Sequence, residues 1–129
     1  TDWIDLYQVH RPDPDTDIDE TLGALSDLVH QGKVRAIGTS TFPAAEIVEA
    51  QWVAERRGRE RFATEQPPYS IFARGVEADV LPTCERFGLG VVAGFGVVAV
   101  VSIANRRFTD QWEWAVFAGA RCRDRLGCD

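Results

Sequence analysis

The sequence predicts an α/β fold in which a parallel sheet is built from alternating strands and helices. Short apolar, β-prone runs alternate with amphipathic stretches of helical period, and only a few residues connect them. Such alternation is typical of parallel strands joined by right-handed helical crossovers. Four strand–helix units make half of an eight-stranded barrel, which needs roughly 250 residues. The chain has 129 residues, so we expect only part of such a barrel.

The first strand–helix unit carries the clearest pattern. The run Trp3–Val9 is apolar and β-prone, and it delivers His10 immediately before a proline-rich loop. A helix then begins near Asp17 or Asp19, where acidic side chains suit the positive end of the helix dipole, and Gly32 ends it. Its apolar positions are spaced three to four residues apart: Ile18, Leu22, Leu25, Leu28 and Val29.

The second unit repeats this arrangement. Lys33–Ser40 is a short β-branched run that predicts a buried strand. Thr41 is then expected to cap a second helix whose first turn holds Pro43. After this opening at residues 41–43, Ala44–Arg57 is expected to continue the helix until Gly58 ends it. Its apolar positions are Ile47, Val48, Ala50, Trp52 and Ala54.

The third unit and the fourth strand complete the pattern. Phe62–Gln66 predicts a strand that two prolines close. A helix is expected over about Val76–Phe87, and Pro82 inside it indicates either a kink or a later start. Leu89–Ala93 predicts the fourth strand. The third helix is expected to turn four side chains inward: Val76, Val80, Leu81 and Cys84.

Composition argues against several classes of partner. The formal net charge is -6 and no Lys/Arg-rich run is present, so we expect no nucleic-acid partner. The apolar stretch Leu89–Ala104 is shorter than a membrane span and is broken by glycines, so no membrane span is expected. Thr1–Trp3 lacks the basic region of a signal peptide.

The cysteines indicate a reducing compartment. Cys84, Cys122 and Cys128 form no C-x-x-C pair, which argues against a disulfide framework or a zinc site. Cys122 and Cys128 could pair with each other or bind a metal, but no histidine lies near them in the sequence. We therefore expect a cytoplasmic chain without a metal site.

Two short motifs invite a functional interpretation. His10 stands at the end of a strand, where α/β enzymes place catalytic groups, although a partly buried histidine satisfied by its neighbours is the commoner outcome for an isolated case. Gly88–Ala93 matches the dinucleotide fingerprint G-x-G-x-x-A. That fingerprint should follow a strand and open a helix, whereas here it follows a helix and enters a β-branched run.

Three longer motifs in a consistent order resemble the aldo-keto reductase family. Asp5–Asp13 (DLYQVHRPD) resembles the family's fourth strand, Gly32–Phe42 (GKVRAIGTSTF) its fifth, and Thr64–Ser70 (TEQPPYS) its sixth. The resemblance implies a partial (β/α)8 TIM barrel of about four βα units, which resemble strands 4 to 7. We expect residues 1–93 to form this partial barrel and residues 94–129 to be a divergent tail of unknown structure.

The resemblance also implies an activity and its residues. Members of the family reduce aldehydes or ketones to alcohols by hydride transfer from NADP(H), without a metal. By this resemblance His10 is the catalytic histidine that hydrogen-bonds the substrate carbonyl, and Ser40, Thr41 and Gln66 bind the cofactor's nicotinamide. The family more often has Asn at the position of Thr41. The Asp, Tyr and Lys of its catalytic tetrad are absent from this chain, so we expect little or no activity.

Other functions stay open. A non-catalytic half-barrel remnant would associate with itself or with another chain through its open sheet edges. A regulatory relative, such as the channel-associated β subunits of the same superfamily, is not favoured by any residue. The sequence does not identify the substrate.

The segment after residue 93 departs from the family. Gly94 stands where the family has an aromatic residue that stacks on the nicotinamide, and Ser102–Asp129 aligns with no family motif. A frameshift near codon 94 is one hypothesis for this departure.

Overall fold

The computed structural model describes residues 2–93, which form one sheet of four strands with three α-helices packed against it. The strands are β1 (Ile4–Val9), β2 (Val34–Ser40), β3 (Thr64–Gln66) and β4 (Gly90–Val91). The helices are α1 (Ile18–His30), α2 (Ala44–Arg57) and α3 (Val80–Phe87). The predicted alternation of strands and helices is confirmed. The expected tail, with Gly94, Cys122 and Cys128, lies outside the described residues.

The strands lie side by side in the order of the sequence, and every neighbouring pair is parallel. In the register, Val9 is opposite Thr39, Thr39 is opposite Glu65, and Glu65 is opposite Val91. One row of residues therefore crosses all four strands near their carboxyl ends. Sequential parallel neighbours are the arrangement of consecutive units in a (β/α)8 barrel, so the predicted partial barrel is confirmed.

The core lies between the sheet and the helices. Ile37 and Val91 of the sheet belong to one buried cluster with Leu22 of α1, Ile47 of α2 and Cys84 of α3, and each is 4% exposed or less. The apolar positions predicted for the first and third helices are confirmed, because all of them are buried or pack against this cluster: Ile18, Leu22, Leu25, Leu28, Val29, Val76, Val80, Leu81 and Cys84. Val76 does so from a turn before α3.

The ends of α1 and α2 follow the sequence signals. Asp17 caps α1, and its Oδ1 accepts the backbone N–H of Asp19 at 2.8 Å. Gly32 and Gly58 follow the two helices with φ of +70° and +63°. Glycine adopts this left-handed conformation without the steric cost of a Cβ, so both predicted helix ends are confirmed.

The predicted cap of α2 is wrong. Pro43 is the N-cap residue, two positions after Thr41, and it makes no side-chain capping hydrogen bond. Thr41 has φ of +61° and lies in a turn before the helix. Its N–H donates to the carbonyl of Gln66 on the neighbouring strand. Contacts from a distant part of the chain therefore override the local capping preference of threonine.

The two alternatives for Pro82 are resolved in favour of the later start. A 3₁₀ turn covers Gly75–Glu77, and α3 begins at Val80, where the Oδ1 of Asp79 accepts the Val80 N–H at 2.6 Å. Pro82 lies in the first turn of α3, where its missing N–H breaks no helical hydrogen bond. All four strands are shorter than predicted, and each begins one or two residues later.

Two features of the described residues bear on partners. Between residues 2 and 93, no helix has both the length and the apolar character needed to cross a membrane. In the same part of the chain, no three His, Cys, Asp or Glu side chains cluster in a way that could hold a metal ion.

Candidate active site

Three of the predicted site residues lie at one level, at the carboxyl edge of the sheet. Ser40 and Gln66 end β2 and β3 and are direct partners in the register. His10 follows Val9, the last residue of β1, and Val9 is the partner of Thr39. Extending this register by one residue places His10 beside Ser40. We call His10, Ser40 and Gln66 the site row.

The His10 ring is exposed and makes no hydrogen bond or ion pair with the described part of the chain. A partly buried histidine satisfied by its neighbours therefore does not describe this ring within residues 2–93. Both ring nitrogens are accessible to a group that approaches the strand ends. The neutral ring can then donate from one nitrogen and accept at the other.

The backbone carbonyl of Gln66 holds the turn that follows β2. Ser40 Oγ donates to this carbonyl at 2.9 Å, and the Thr41 N–H donates to it at 3.2 Å. The two side-chain hydroxyls lie 3.4 Å apart. We call these two residues, Ser40 and Thr41, the Ser40–Thr41 turn. Because the Ser40 hydroxyl donates its hydrogen to this carbonyl, the free lone pairs of Ser40 Oγ can accept a hydrogen bond from the N–H of an incoming amide.

The Ser40–Thr41 turn is strained. Thr41 is β-branched, and its φ of +61° lies in the left-handed region that such residues rarely adopt. Conformations of this kind cost about 1–3 kcal/mol and persist only where the surroundings enforce them. Here the neighbouring strand β3 enforces the turn. The next backbone N–H, that of Phe42, donates to Glu65 Oε1 at 3.2 Å.

Glu65 is fully buried, and the sequence analysis did not single it out. Thr39 Oγ1 donates to Glu65 Oε2 at 2.5 Å and also lies 3.3 Å from the Thr64 carbonyl oxygen. Burial raises the pKa of the Glu65 carboxyl above its ordinary value, and the hydrogen bonds from the Thr39 hydroxyl and the Phe42 N–H oppose that rise. The sequence did contain a signal for Glu65, because it is an acidic residue inside a run predicted to be a strand. Acidic residues are almost never fully buried without partners.

A second polar row lies one layer deeper on the same face of the sheet. Gln8, Gly38 and Thr64 are partners in the register, two residues before the site row on each strand. Gln8 Nε2 donates to Thr64 Oγ1 at 3.4 Å and to the Thr39 carbonyl at 3.3 Å. A Cβ on Gly38 would lie 2.1 Å from Thr64 Oγ1, so only glycine leaves space for this contact.

Glu77 holds the loop that follows β3. Tyr69 Oη donates to Glu77 Oε1 at 2.6 Å, and Arg74 donates to both carboxylate oxygens at 2.8 and 3.1 Å. The hydrogen bond to Glu77 raises the pKa of Tyr69. At the tip of the loop, Ile71 and Phe72 are 81% and 98% exposed. The loop therefore presents apolar side chains at the end of the sheet that carries the site row.

Comparison with known protein families gives a match over most of the chain. Residues 1–110 match the model of the aldo/keto reductase family. The match includes all described residues and continues beyond them. It therefore covers the site row, the Ser40–Thr41 turn and Glu65.

Curated relatives align over a similar part of the chain. The uncharacterized oxidoreductase YrpG of Bacillus subtilis is 45% identical over 93 residues, which are 72% of this chain and 28% of YrpG. The aldo-keto reductase YhdN of the same organism is 45% identical over 82 residues, or 64% of this chain and 23% of YhdN. The aldo-keto reductase AFTS1 of Alternaria alternata is 39% identical over 93 residues, or 72% of this chain and 25% of AFTS1. The chain thus spans about a quarter of the length of these relatives.

Proposed function

The chain belongs to the aldo/keto reductase family, and from this premise we propose that it carries part of an NADP(H)-dependent site that reduces aldehydes or ketones to alcohols. A general oxidoreductase role is supported by the family and by the relatives named oxidoreductase or aldo-keto reductase. The cofactor, the carbonyl substrate and the residue roles below are parts of the proposal.

The observation that carries the proposal is the site row. Three side chains of different chemistry, an imidazole, a hydroxyl and a carboxamide, lie at one level at the carboxyl ends of three neighbouring parallel strands. The carboxyl ends of parallel strands are where barrel enzymes assemble their sites from several strands. A row of this kind can hold one small molecule across two strand ends while the third presents a reactive group.

The donor set fits a nicotinamide carboxamide. That group has one carbonyl acceptor and two N–H donors, and it needs partners of both kinds to fix which face of the ring meets the substrate. Ser40 Oγ offers free lone pairs, Thr41 offers a hydroxyl, and the half-buried Gln66 offers a side-chain amide with both a donor and an acceptor. When bound, NADP(H) supplies the hydride.

His10 is the catalytic residue of this proposal. Negative charge develops on the carbonyl oxygen of the substrate during reduction, and a preorganised donor there lowers the barrier. The exposed imidazole can donate that hydrogen bond. A proton must also reach the oxygen, and the Tyr, Lys and Asp that share this task in the family have no counterpart in the matching motifs of this chain. We therefore propose that the chain alone turns over little or no substrate.

A cofactor titration tests the proposal. NADPH fluorescence is followed as the 129-residue chain is added, and nicotinamide absorbance is followed with a reactive aldehyde. We expect binding that Gln66→Ala weakens and that His10→Ala leaves nearly unchanged. The matched control is His30→Ala, since this exposed histidine lies on α1 beside Glu60 at 3.3 Å. Failure of the chain to bind NADPH would overturn the cofactor site, and turnover lost in His10→Ala alone would overturn the expected inactivity.

An open sheet edge favours a second candidate function, a non-catalytic half-barrel that associates with itself or with another chain. Within residues 2–93, β1 pairs only with β2, so its other edge is uncovered. Ile4 and Tyr7 on this strand are 44% and 43% exposed. An uncovered edge strand with exposed apolar side chains is a template for pairing with another chain. Sedimentation equilibrium tests this, with Ile4→Lys expected to weaken association; a monomer at all concentrations would contradict it.

We also propose a cytoplasmic location. Support comes from the odd number of cysteines and the absence of a C-x-x-C pair in the sequence, which suit a reducing compartment. Fluorescence microscopy of a tagged chain would test this location.

A further inference from the structure

We propose that Glu65 is a positioning residue, which holds the Ser40–Thr41 turn in the conformation that meets the nicotinamide carboxamide. The inference rests on the proposed function for its ligand, and on the geometry of residues 39–42 and 65–66 for the positioning itself. Glu65 touches neither cofactor nor substrate in this account, and acts through the turn.

The Glu65 side chain contacts the residues on both sides of the turn. Its Oε2 accepts from the hydroxyl of Thr39, the residue before the turn, at 2.5 Å. Its Oε1 accepts from the backbone N–H of Phe42, the residue after the turn, at 3.2 Å. One carboxylate therefore fixes where the turn leaves β2 and where it enters the segment that leads to α2.

The next residue, Gln66, contacts the two residues between. Its carbonyl accepts from Ser40 Oγ at 2.9 Å and from the Thr41 N–H at 3.2 Å. Two consecutive residues of β3 therefore hold four consecutive residues of the chain after Gly38. The Gln66 carbonyl fixes the turn itself, and the Glu65 side chain fixes its flanks.

This support is needed because Thr41 does not adopt its conformation readily. Its φ of +61° is unfavourable for a β-branched residue, and Pro43, two residues later, has no N–H to donate to a neighbour. If the Phe42 N–H lost its acceptor, a buried donor would be left without a partner. The turn would then relax, and the hydroxyls of Ser40 and Thr41 would move away from the side chain of Gln66 in the site row.

A carboxylate suits this place because both of its oxygens accept. The two groups that point at it, a hydroxyl and a backbone N–H, are both donors. Glutamine keeps one acceptor for the Phe42 N–H and presents an amide N–H₂ to Thr39, whose hydroxyl can turn and accept. Leucine fills similar space and accepts nothing. Glu65→Gln and Glu65→Leu therefore separate hydrogen bonding from packing.

The experiment measures NADPH affinity in the full chain and its two Glu65 variants, well below their unfolding temperatures. We expect Glu65→Leu to weaken binding on the order of ten-fold, since a buried N–H loses its acceptor, and Glu65→Gln to restore affinity close to the wild-type value. A merely structural residue would lower the unfolding temperature without changing the dissociation constant of the folded protein. The control is Glu49→Leu, which changes an exposed glutamate on α2. Equal affinity in Glu65→Leu and wild type would overturn the proposal.

A second readout does not depend on the cofactor. Amide hydrogen exchange at Phe42 is measured in the same variants without NADPH. We expect Glu65→Leu to accelerate exchange at Phe42 while exchange in the centre of β2 is unchanged, and Glu65→Gln to preserve protection. If the wild type binds no NADPH, the proposed function fails and this exchange pattern alone decides whether Glu65 positions the turn. Unchanged or uniformly faster exchange would overturn the positioning.

A further variant covers the case in which Glu65→Leu does not fold. Thr39→Val removes the hydroxyl that orients the carboxylate and keeps the shape of the side chain. We expect it to weaken binding and to accelerate exchange at Phe42 in the same direction as Glu65→Leu. A Thr39→Val variant with wild-type affinity and wild-type exchange at Phe42 would contradict the proposal.

Discussion

Gln8 reaches past Gly38 to bring its side-chain Nε2 within 3.4 Å of Thr64 Oγ1, on the face of the sheet that carries the site row. The contact joins the first and third strands across the second. It is possible only because the residue between has no side chain. The layer beneath His10, Ser40 and Gln66 is thus fixed by a polar contact whose geometry depends on one glycine.

Gly38→Ala is expected to destabilise the chain. The added Cβ would lie 2.1 Å from Thr64 Oγ1 and 3.0 Å from the Thr64 carbonyl oxygen, and overpacking of this kind costs about 1–3 kcal/mol. Thr64→Ala in the same chain removes the first clash but not the second, so we expect partial recovery. Urea unfolding measures the free energy, and Gly75→Ala, where the Cβ would meet nothing within 4 Å, is the control. A Gly38→Ala variant as stable as Gly75→Ala would contradict the geometry.

Local sequence signals predicted the elements of the fold well. The apolar spacing of α1, its start near Asp17 and the glycines after α1 and α2 all act within a few residues, and the structure confirms each of them. The strand order also followed, since alternating strands and helices leave few parallel arrangements. The later start of α3 at Val80 was left open, because Pro82 alone does not say whether the turn before it is helical.

The turn after β2 could not be predicted from neighbouring residues. Thr41 followed by Phe42 and Pro43 has the composition of a helix start, which led to the wrong cap. What decides its conformation is Glu65 and Gln66, more than twenty residues away in the sequence. The pairing of Ser40 with Gln66 at the ends of two neighbouring strands could be predicted. Predicting that a buried carboxylate would accept from the Phe42 N–H required the register in three dimensions.

Glu65 is expected to make stability depend on pH. Burial raises the pKa of its carboxyl in the folded chain, so the folded state holds its proton to higher pH than the unfolded state does. Its contribution to stability is therefore fully present below the ordinary glutamate pKa and is lost as pH rises through the raised folded value. Glu65→Gln carries no such proton, so the variant should gain stability relative to wild type across that window.

Urea unfolding of both chains between about pH 4 and pH 8 measures this difference. Asp13 and Glu77, whose pKa values are lowered by their hydrogen bonds, contribute with the opposite sign. They do so equally in both chains and cancel in the difference. A difference in free energy between the two chains that does not change with pH would contradict the raised pKa.

Cys84 is expected to resist alkylation in the folded chain. It is fully buried on α3, and burial, together with the charge of Glu65, raises the pKa of its thiol to about 12. Because the thiolate is the nucleophile, both access and ionisation oppose the reaction. Iodoacetamide labelling followed by peptide mass analysis measures the rate at this residue, and the same chain in urea is the control. Labelling of Cys84 as fast in the folded chain as in urea would contradict its burial.

Glu77→Gln is expected to lower the pKa of Tyr69 toward the ordinary value of a tyrosine. The hydrogen bond from Tyr69 Oη to the Glu77 carboxylate, 2.6 Å long, is the largest cause of the raised pKa, and the negative charge of Glu77 adds to it. Glutamine keeps an acceptor but removes the charge, so the phenolate forms at lower pH. The sequence holds only two tyrosines, so ring-labelled NMR resolves both, and Tyr7→Phe identifies the Tyr69 signal.

Amide exchange in the same Glu77→Gln variant tests whether Glu77 orders the loop whose tip carries Ile71 and Phe72. Arg74 donates to both oxygens of the Glu77 carboxylate, at 2.8 and 3.1 Å. Glu77→Gln removes the negative charge that strengthens these two hydrogen bonds, so both are weakened. We therefore expect faster amide exchange at Phe72 in Glu77→Gln than in wild type. Glu55→Gln, at an exposed glutamate on α2, should change neither signal. A Tyr69 titration curve that is the same in Glu77→Gln and wild type would show that Glu77 does not hold the phenol in solution.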